Sequence, residues 1–171
     1  MIFVKIAVVG YSGAGKSTLA AALGERLALP VLHLDTVQFL PGWRERDREE
    51  AREMVRAFLE RPGWVIDGNY TGFLYGRRME EADRIIFLDL PRRVCFYQAW
   101  RRYRANRGRV RESMAPGCEE KFDAEFILWL LWGGRTGKKR EGYRRLRERF
   151  PHKMTVCRSR KEIAALLCEK L

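Results

Sequence analysis

The stretch GYSGAGKST, Gly10 to Thr18, places Gly10, Gly15, Lys16 and Ser17 at the spacing G-x-x-x-x-G-K-[ST]. Glycines there let the backbone wrap so tightly that successive N–H groups point at one phosphate, and a helix starting behind them adds its partial positive charge. Lys16 then reaches the β- and γ-phosphates, the Ser17 hydroxyl is placed to ligate Mg²⁺, and Thr18 meets the α-phosphate. The expected ATP contacts are Gly10, Ser12, Gly13, Ala14, Gly15, Lys16, Ser17 and Thr18.

Two carboxylates close short apolar runs, Asp35 after PVLHL and Asp67 after WVI. In an open α/β sheet, ligands sit beyond the carboxyl ends of the strands, so both should face the nucleotide. One would hold Mg²⁺ through water and the other orient or deprotonate an acceptor hydroxyl. We assign Asp67 with Ser17 to the metal and Asp35 to the acceptor; a bare helix or turn cap is the alternative for either. Between Pro91 and Arg111 stand eight arginines and no acid. Such a run needs an anion or distant acids to neutralise it, and a phosphoryl group in flight is such an anion. Arg102, Arg107 and Arg111 are the candidates. Neither His33 nor His152 has an evident partner.

The elements that must position these groups alternate. Phe3–Val9 is continuous and β-branched, as in a strand buried on both faces, and Lys16–Leu27 spaces Leu19, Leu23 and Leu27 along one helical face. Pro30–Leu34, Trp64–Ile66, Arg84–Leu90 and Lys153–Cys157 read as further strands. Helices are expected from about Arg48 to Pro62-Gly63, from Pro91 to about Asn106, over Glu119–Trp132, on to about Phe150, and over Lys161–Leu171. Phe126, Trp129, Leu130 and Trp132 read as core packing. Gly108–Gly117 reads as a loop. Alternation of this kind argues for a three-layer α/β/α domain with a parallel sheet, spanning 1–171 as a single unit.

Composition agrees. Apolar residues at 46% exclude a disordered chain, and 34 Lys and Arg against 22 Asp and Glu give +12, which favours anionic partners. Cys95, Cys118, Cys157 and Cys168 show neither a C-x-x-C pair nor zinc spacing, so they read as reduced thiols of a cytoplasmic protein. The apolar N-terminus is too short for a membrane span and runs into the glycine loop, so it reads as a strand and not a signal peptide.

With the phosphate loop, LHLDTVQFLPGW, WVIDGNY and RGRVRESMAPGCEEKFDAEFILWL in view, the chain resembles the adenylate-kinase-like P-loop kinases, closest to their small branch called DNA topology modulation proteins. The resemblance implies a five-stranded parallel sheet of order 2-3-1-4-5. It also implies an arginine-rich lid over about 104–117 and an acceptor-binding segment over about 36–63. By that match Asp67 corresponds to the aspartate of a D-G-F-P-R motif, which here reads Asp67-Gly68-Asn69-Tyr70-Thr71. The arginine that clamps the acceptor is thus missing, with Arg77 and Arg78 a little downstream, and Gln98 stands where a base-stacking arginine is expected.

The expected activity is transfer of the γ-phosphoryl of Mg-ATP to a nucleotide or other small molecule held by Asp35, Trp43, Arg44 or Arg46, Asn69 and Tyr70. The alternatives are a nucleic-acid-associated ATP-binding protein and a polynucleotide 5′-hydroxyl kinase.

Overall fold

A computed structural model describes residues 4–111 and 113–169. Strand β1 (Lys5–Gly10) explains the three layers. Ile6 and Val8 point to one face of the sheet, and Ala7 and Val9 to the other, and all four are buried. The first face packs on α1 (Lys16–Leu27) through Leu19 and Leu23, on α5 (Arg92–Ala105) through Cys95 and Ala99, and on α8 (Arg160–Cys168) through Leu166. The second packs on α2 (Leu34–Gln38), α3 (Arg48–Leu59), α4 (Tyr75–Glu81) and α7 (Gly137–Arg149). In α3 the side chain of Asp47 accepts from the N–H groups of Glu49 and Glu50, and Ala51, Val55 and Leu59 turn inward at helical spacing.

The remaining strands are β2 (Val31–His33), β5 (Trp64–Asp67), β6 (Arg84–Leu88) and β7 (Met154–Cys157), all parallel to their neighbours in the sheet. Between β2 and β5 lies an antiparallel hairpin of two-residue strands, β3 (Phe39–Leu40) and β4 (Arg44–Glu45). Counted along the chain, the sheet order is therefore 2-5-1-6-7 and not 2-3-1-4-5. The hairpin takes numbers three and four, while the five long strands keep the expected neighbours.

Three other expectations need correction. The helix expected over Glu119–Trp132 begins only at Ala124, as α6 (Ala124–Leu131), because Asp123 caps it by accepting from Phe126 N and Glu120 turns inward to arginines. Only Leu130 of its aromatic and leucine run is buried; Trp129 and Trp132 are exposed and Phe126 half-buried. Helix α4 was not expected, since its inward face carries the buried Arg78, which reads as polar. The expected strand start at Phe3 and helix end at Leu171 lie outside the described residues. Among those residues, no helix is long and apolar enough to cross a membrane.

Candidate active site

The phosphate loop leaves the end of β1 and enters α1 with Gly13 at φ 76° and Gly15 at φ 90°, the left-handed conformation that glycine adopts without strain. A Cβ on Gly13 would sit 2.4 Å from the carbonyl oxygen of Cys95, so the loop packs directly on α5. Lys16 folds back along the loop and donates to the carbonyl of Tyr11 at 3.1 Å. Desolvation pulls its pKa down, opposed by Asp35 and Asp67. The Ser17 hydroxyl donates to Asp67 Oδ2 at 2.8 Å. Asp67 closes β5 and is 4% exposed. A hydroxyl and a carboxylate beside the phosphate loop are the oxygen donors that Mg²⁺ takes when phosphates complete its shell, so the pair fits that metal.

Parallel pairing of β2 with β5 sets His33 beside Asp67, and His33 Nδ1 lies 2.6 Å from Asp67 Oδ1. His33 therefore has the partner that the sequence did not show. Asp35 stands in the first turn of α2, where Tyr70 donates its hydroxyl to Oδ1 at 2.6 Å. Burial and the charge of Asp35 push the Tyr70 pKa far up, so the phenol stays a donor. One oxygen of Asp35 is thus occupied and oriented.

The turn after Asp67 is fixed from two sides. Asn69 accepts from Gly10 N at 3.1 Å and donates to Gly10 O at 2.6 Å, tying the turn to the phosphate loop, so its amide is committed to the backbone. Arg78 is fully buried and donates to the carbonyls of Phe73, Gly68 and Tyr70 at 2.8, 3.2 and 2.6 Å. Burial lowers its pKa to about 10, leaving it cationic at neutral pH. Arg77 pairs with Glu60 and Glu81. Neither arginine is free to replace the clamp missing at Thr71.

Two clefts flank this centre. The first, about 560 Å³, is lined by Gly13, Gly15, Lys16, Ser17, Thr18, Gln98, Arg102 and Arg111. It is the phosphate side. Gln98 brings its side-chain oxygen to within 3.4 Å of where a Cβ on Gly15 would stand, and its buried Nε2 has no hydrogen-bond partner among the described residues. Arg102 and Arg111 both engage the carboxylate of Glu120, an acid that lies beyond the arginine run. Arg107 is exposed and lies outside both clefts, as does Arg44. Trp43 lines the first cleft at φ 62°, a strained value for tryptophan. It is held there by Phe39 (ring centroids 5.1 Å apart), by Lys121 over its ring at 4.5 Å, and by its N–H to Cys118 Sγ at 3.3 Å. Cys118 in turn donates to Leu40 O at 3.4 Å, so the end of the loop that follows α5 is sewn to the β3–β4 hairpin.

The second cleft, about 1020 Å³, opens between the hairpin, the 67–75 turn and the start of α7. Arg46, Arg48, Lys138 and Lys139 ring it, and Phe73, Tyr75 and Tyr143 give it an aromatic wall. Arg46 is half-committed, to Val37 O and Glu50. The clefts share Ser12, Lys16, Asp35, Tyr70 and Trp129, whose indole N–H donates to Ser12 Oγ at 3.2 Å.

Comparison with known proteins agrees with this geometry at the level of fold. No family model matches the chain. YqaC of Bacillus subtilis (strain 168) is 29% identical over 131 residues, which cover 72% of this chain and 69% of that protein. A gluconokinase from Sinorhizobium meliloti 1021 is 15% identical with a TM-score of 0.53, over 97% of this chain and 88% of that one. Shikimate kinase from Acinetobacter baumannii, in complex with shikimate, is 16% identical with a TM-score of 0.54, over 95% and 89%. The chain has the fold of P-loop kinases.

Proposed function

We propose that the protein is an ATP-dependent phosphotransferase whose acceptor is a hydroxyl group on a small molecule that also carries an anionic group. The observation that carries this reading is the meeting of the two clefts at Lys16, Asp35 and Tyr70. ATP enters by the first cleft, with its phosphates on the loop N–H groups and Lys16. Ser17 and Asp67 would hold Mg²⁺, which when bound neutralises charge on the β- and γ-phosphates. The acceptor enters by the second cleft. Its hydroxyl oxygen attacks the γ-phosphorus as the bond to the β–γ bridging oxygen breaks; Asp35 takes the hydroxyl proton and ADP leaves.

A carboxylate at the point of attack repels a phosphate nucleophile and suits an alcohol, which argues against a nucleoside monophosphate as acceptor. Arg48 and Lys138, the two cations of the second cleft without a hydrogen-bond or ion-pair partner among the described residues, then serve an anionic group elsewhere on that molecule. A small hydroxy compound is also in keeping with the names of the two structural neighbours. The test is ³¹P NMR of Mg-ATP mixed with hydroxy acids and sugar phosphates. A new phosphomonoester resonance growing as the γ-phosphate signal falls is the expected outcome, and release of inorganic phosphate alone would refute transfer.

A second reading, binding of single-stranded nucleic acid, has an observation of its own. The outer face of α5 exposes Tyr97 and Trp100, with the guanidiniums of Arg101 and Arg104 over their rings at 5.8 and 5.1 Å. Exposed rings interleaved with cations form a stacking surface for unpaired bases. It predicts salt-sensitive anisotropy changes with a labelled oligonucleotide that Trp100→Ala and Arg104→Ala abolish. Binding unaffected by both changes would remove it.

A further inference from the structure

A carboxylate that lines a cleft meant for a polyphosphate is out of place on electrostatic grounds, since like charges repel strongly where water is scarce. Asp35, Glu119, Glu120, Asp123 and Glu125 all line the first cleft; Glu119, Asp123 and Glu125 are exposed to water, whereas Glu120 is not. It lines the same cleft as Gly13, Lys16 and Ser17, and its side chain is 4% exposed. Its surroundings account for it. Arg102, from the last turn of α5, donates through Nε to Glu120 Oε2 at 3.0 Å, and Arg111, from the lid loop, pairs through Nε with Oε1. Arg111 also donates from one terminal nitrogen to Ser113 Oγ at 3.1 Å.

Two features of this arrangement point to a role. Both guanidiniums engage the carboxylate by their inner nitrogens, so both terminal nitrogens of Arg102 and one of Arg111 have no partner among the described residues and remain for another anion. Two arginines brought this close would repel each other, as the part Arg102 plays in lowering the Arg111 pKa shows, although burial is the larger cause. One shared carboxylate cancels half of that charge and leaves the trio with one net positive charge beside the phosphate loop. Conversely, a lone arginine on a loop would reach phosphate only after losing side-chain entropy at the moment of reaction.

We infer that Glu120 is a positioning residue: it holds Arg102 and Arg111 as a fixed pair of forks aimed at the oxygens of the transferred phosphoryl group. The inference rests on the phosphotransferase reading and adds what organises its lid. Fixed donors act where charge develops and need no reorganisation during the reaction, so the effect falls on the transition state more than on bound ATP.

The test compares Mg-ADP with Mg-ADP plus aluminium fluoride, a mimic of the phosphoryl group in flight, binding to the wild type and to Glu120→Gln by calorimetry. The wild type should bind the fluoride complex more tightly than ADP. In Glu120→Gln, affinity for ADP should stay within about threefold while affinity for the fluoride complex falls on the order of tenfold or more. A purely structural role would weaken both ligands alike and lower the melting temperature, which would overturn the inference; so would tighter binding of both, the sign of a carboxylate that merely repels phosphate. Arg111→Ala guards against a variant that fails to fold. In that background Glu120→Gln should cost clearly less than in the wild type, and an undiminished cost would count against the pairing. If the wild type itself does not prefer the fluoride complex, the phosphotransferase reading fails and this one with it; a wild-type preference that Glu120→Gln leaves intact refutes only the role of Glu120.

Discussion

The two clefts of this protein are built by opposite means. The first cleft is built around one unbroken stretch, Gly10–Thr18, whose backbone is set by glycine conformations and by contact with α5, with Trp43, Gln98, Arg102 and Arg111 lining the rest. The second cleft draws side chains from α2, the hairpin, the 67–75 turn and the start of α7. A backbone site suits a polyphosphate that does not change between enzymes, whereas a site of dispersed side chains lets the acceptor change while the fold stays. Among the described residues, only Lys16, Asp35, Tyr70, Ser12 and Trp129 belong to both.

This contrast can be tested by substitutions on each side. Lys16→Ala removes the one side-chain cation of the phosphate loop and should lower turnover on the order of 10³-fold with an unchanged circular dichroism spectrum. Retained turnover would show that the loop is not the donor site. If the carboxylate serves the acceptor as proposed, Asp35→Asn should reduce kcat on the order of 10²-fold while titration of ATP gives an unchanged Kd. A matching loss of ATP affinity would move Asp35 to the donor side. Arg48→Ala and Lys138→Ala should each raise KM for the anionic acceptor about tenfold and leave KM for ATP alone, as expected for loss of a charge-assisted contact. Arg107→Ala should change steady-state rates by no more than about twofold, since the side chain is exposed outside both clefts. A large effect there would mean that the lid swings far enough to bring Arg107 in.

The same contrast governs what the sequence reveals. The phosphate loop is legible because its chemistry is local: spacing, strand before and helix after. Asp67 is legible for a similar reason, as the last residue of an apolar strand. The bond between His33 and Asp67 is not, because it depends on β2 lying beside β5 in a given register. The arginine run is visible as a surplus of charge, yet its partner Glu120 lies beyond the run in sequence, and only the path of the loop brings the two together. Asn69 reads as a ligand in the sequence, and its bonds to Gly10, which brace the turn while the residue lines the second cleft, are not visible there. Arg78 misleads in the other direction, a buried cation whose polarity hides the inward face of α4 while its fork fastens three carbonyls.

Whether a hydroxyl entering by the second cleft receives the phosphoryl group from the first can be decided by ADP release from Mg-ATP across a panel of acceptors. The panel comprises hydroxy acids, phosphorylated sugars, neutral polyols, nucleoside monophosphates and 5′-hydroxyl oligonucleotides, with Lys16→Ala as the blank. Stimulation by a hydroxy acid or phosphorylated sugar is expected, lost in Asp35→Asn and weak with neutral polyols. Stimulation confined to nucleoside monophosphates, or a panel flat throughout, would contradict this expectation.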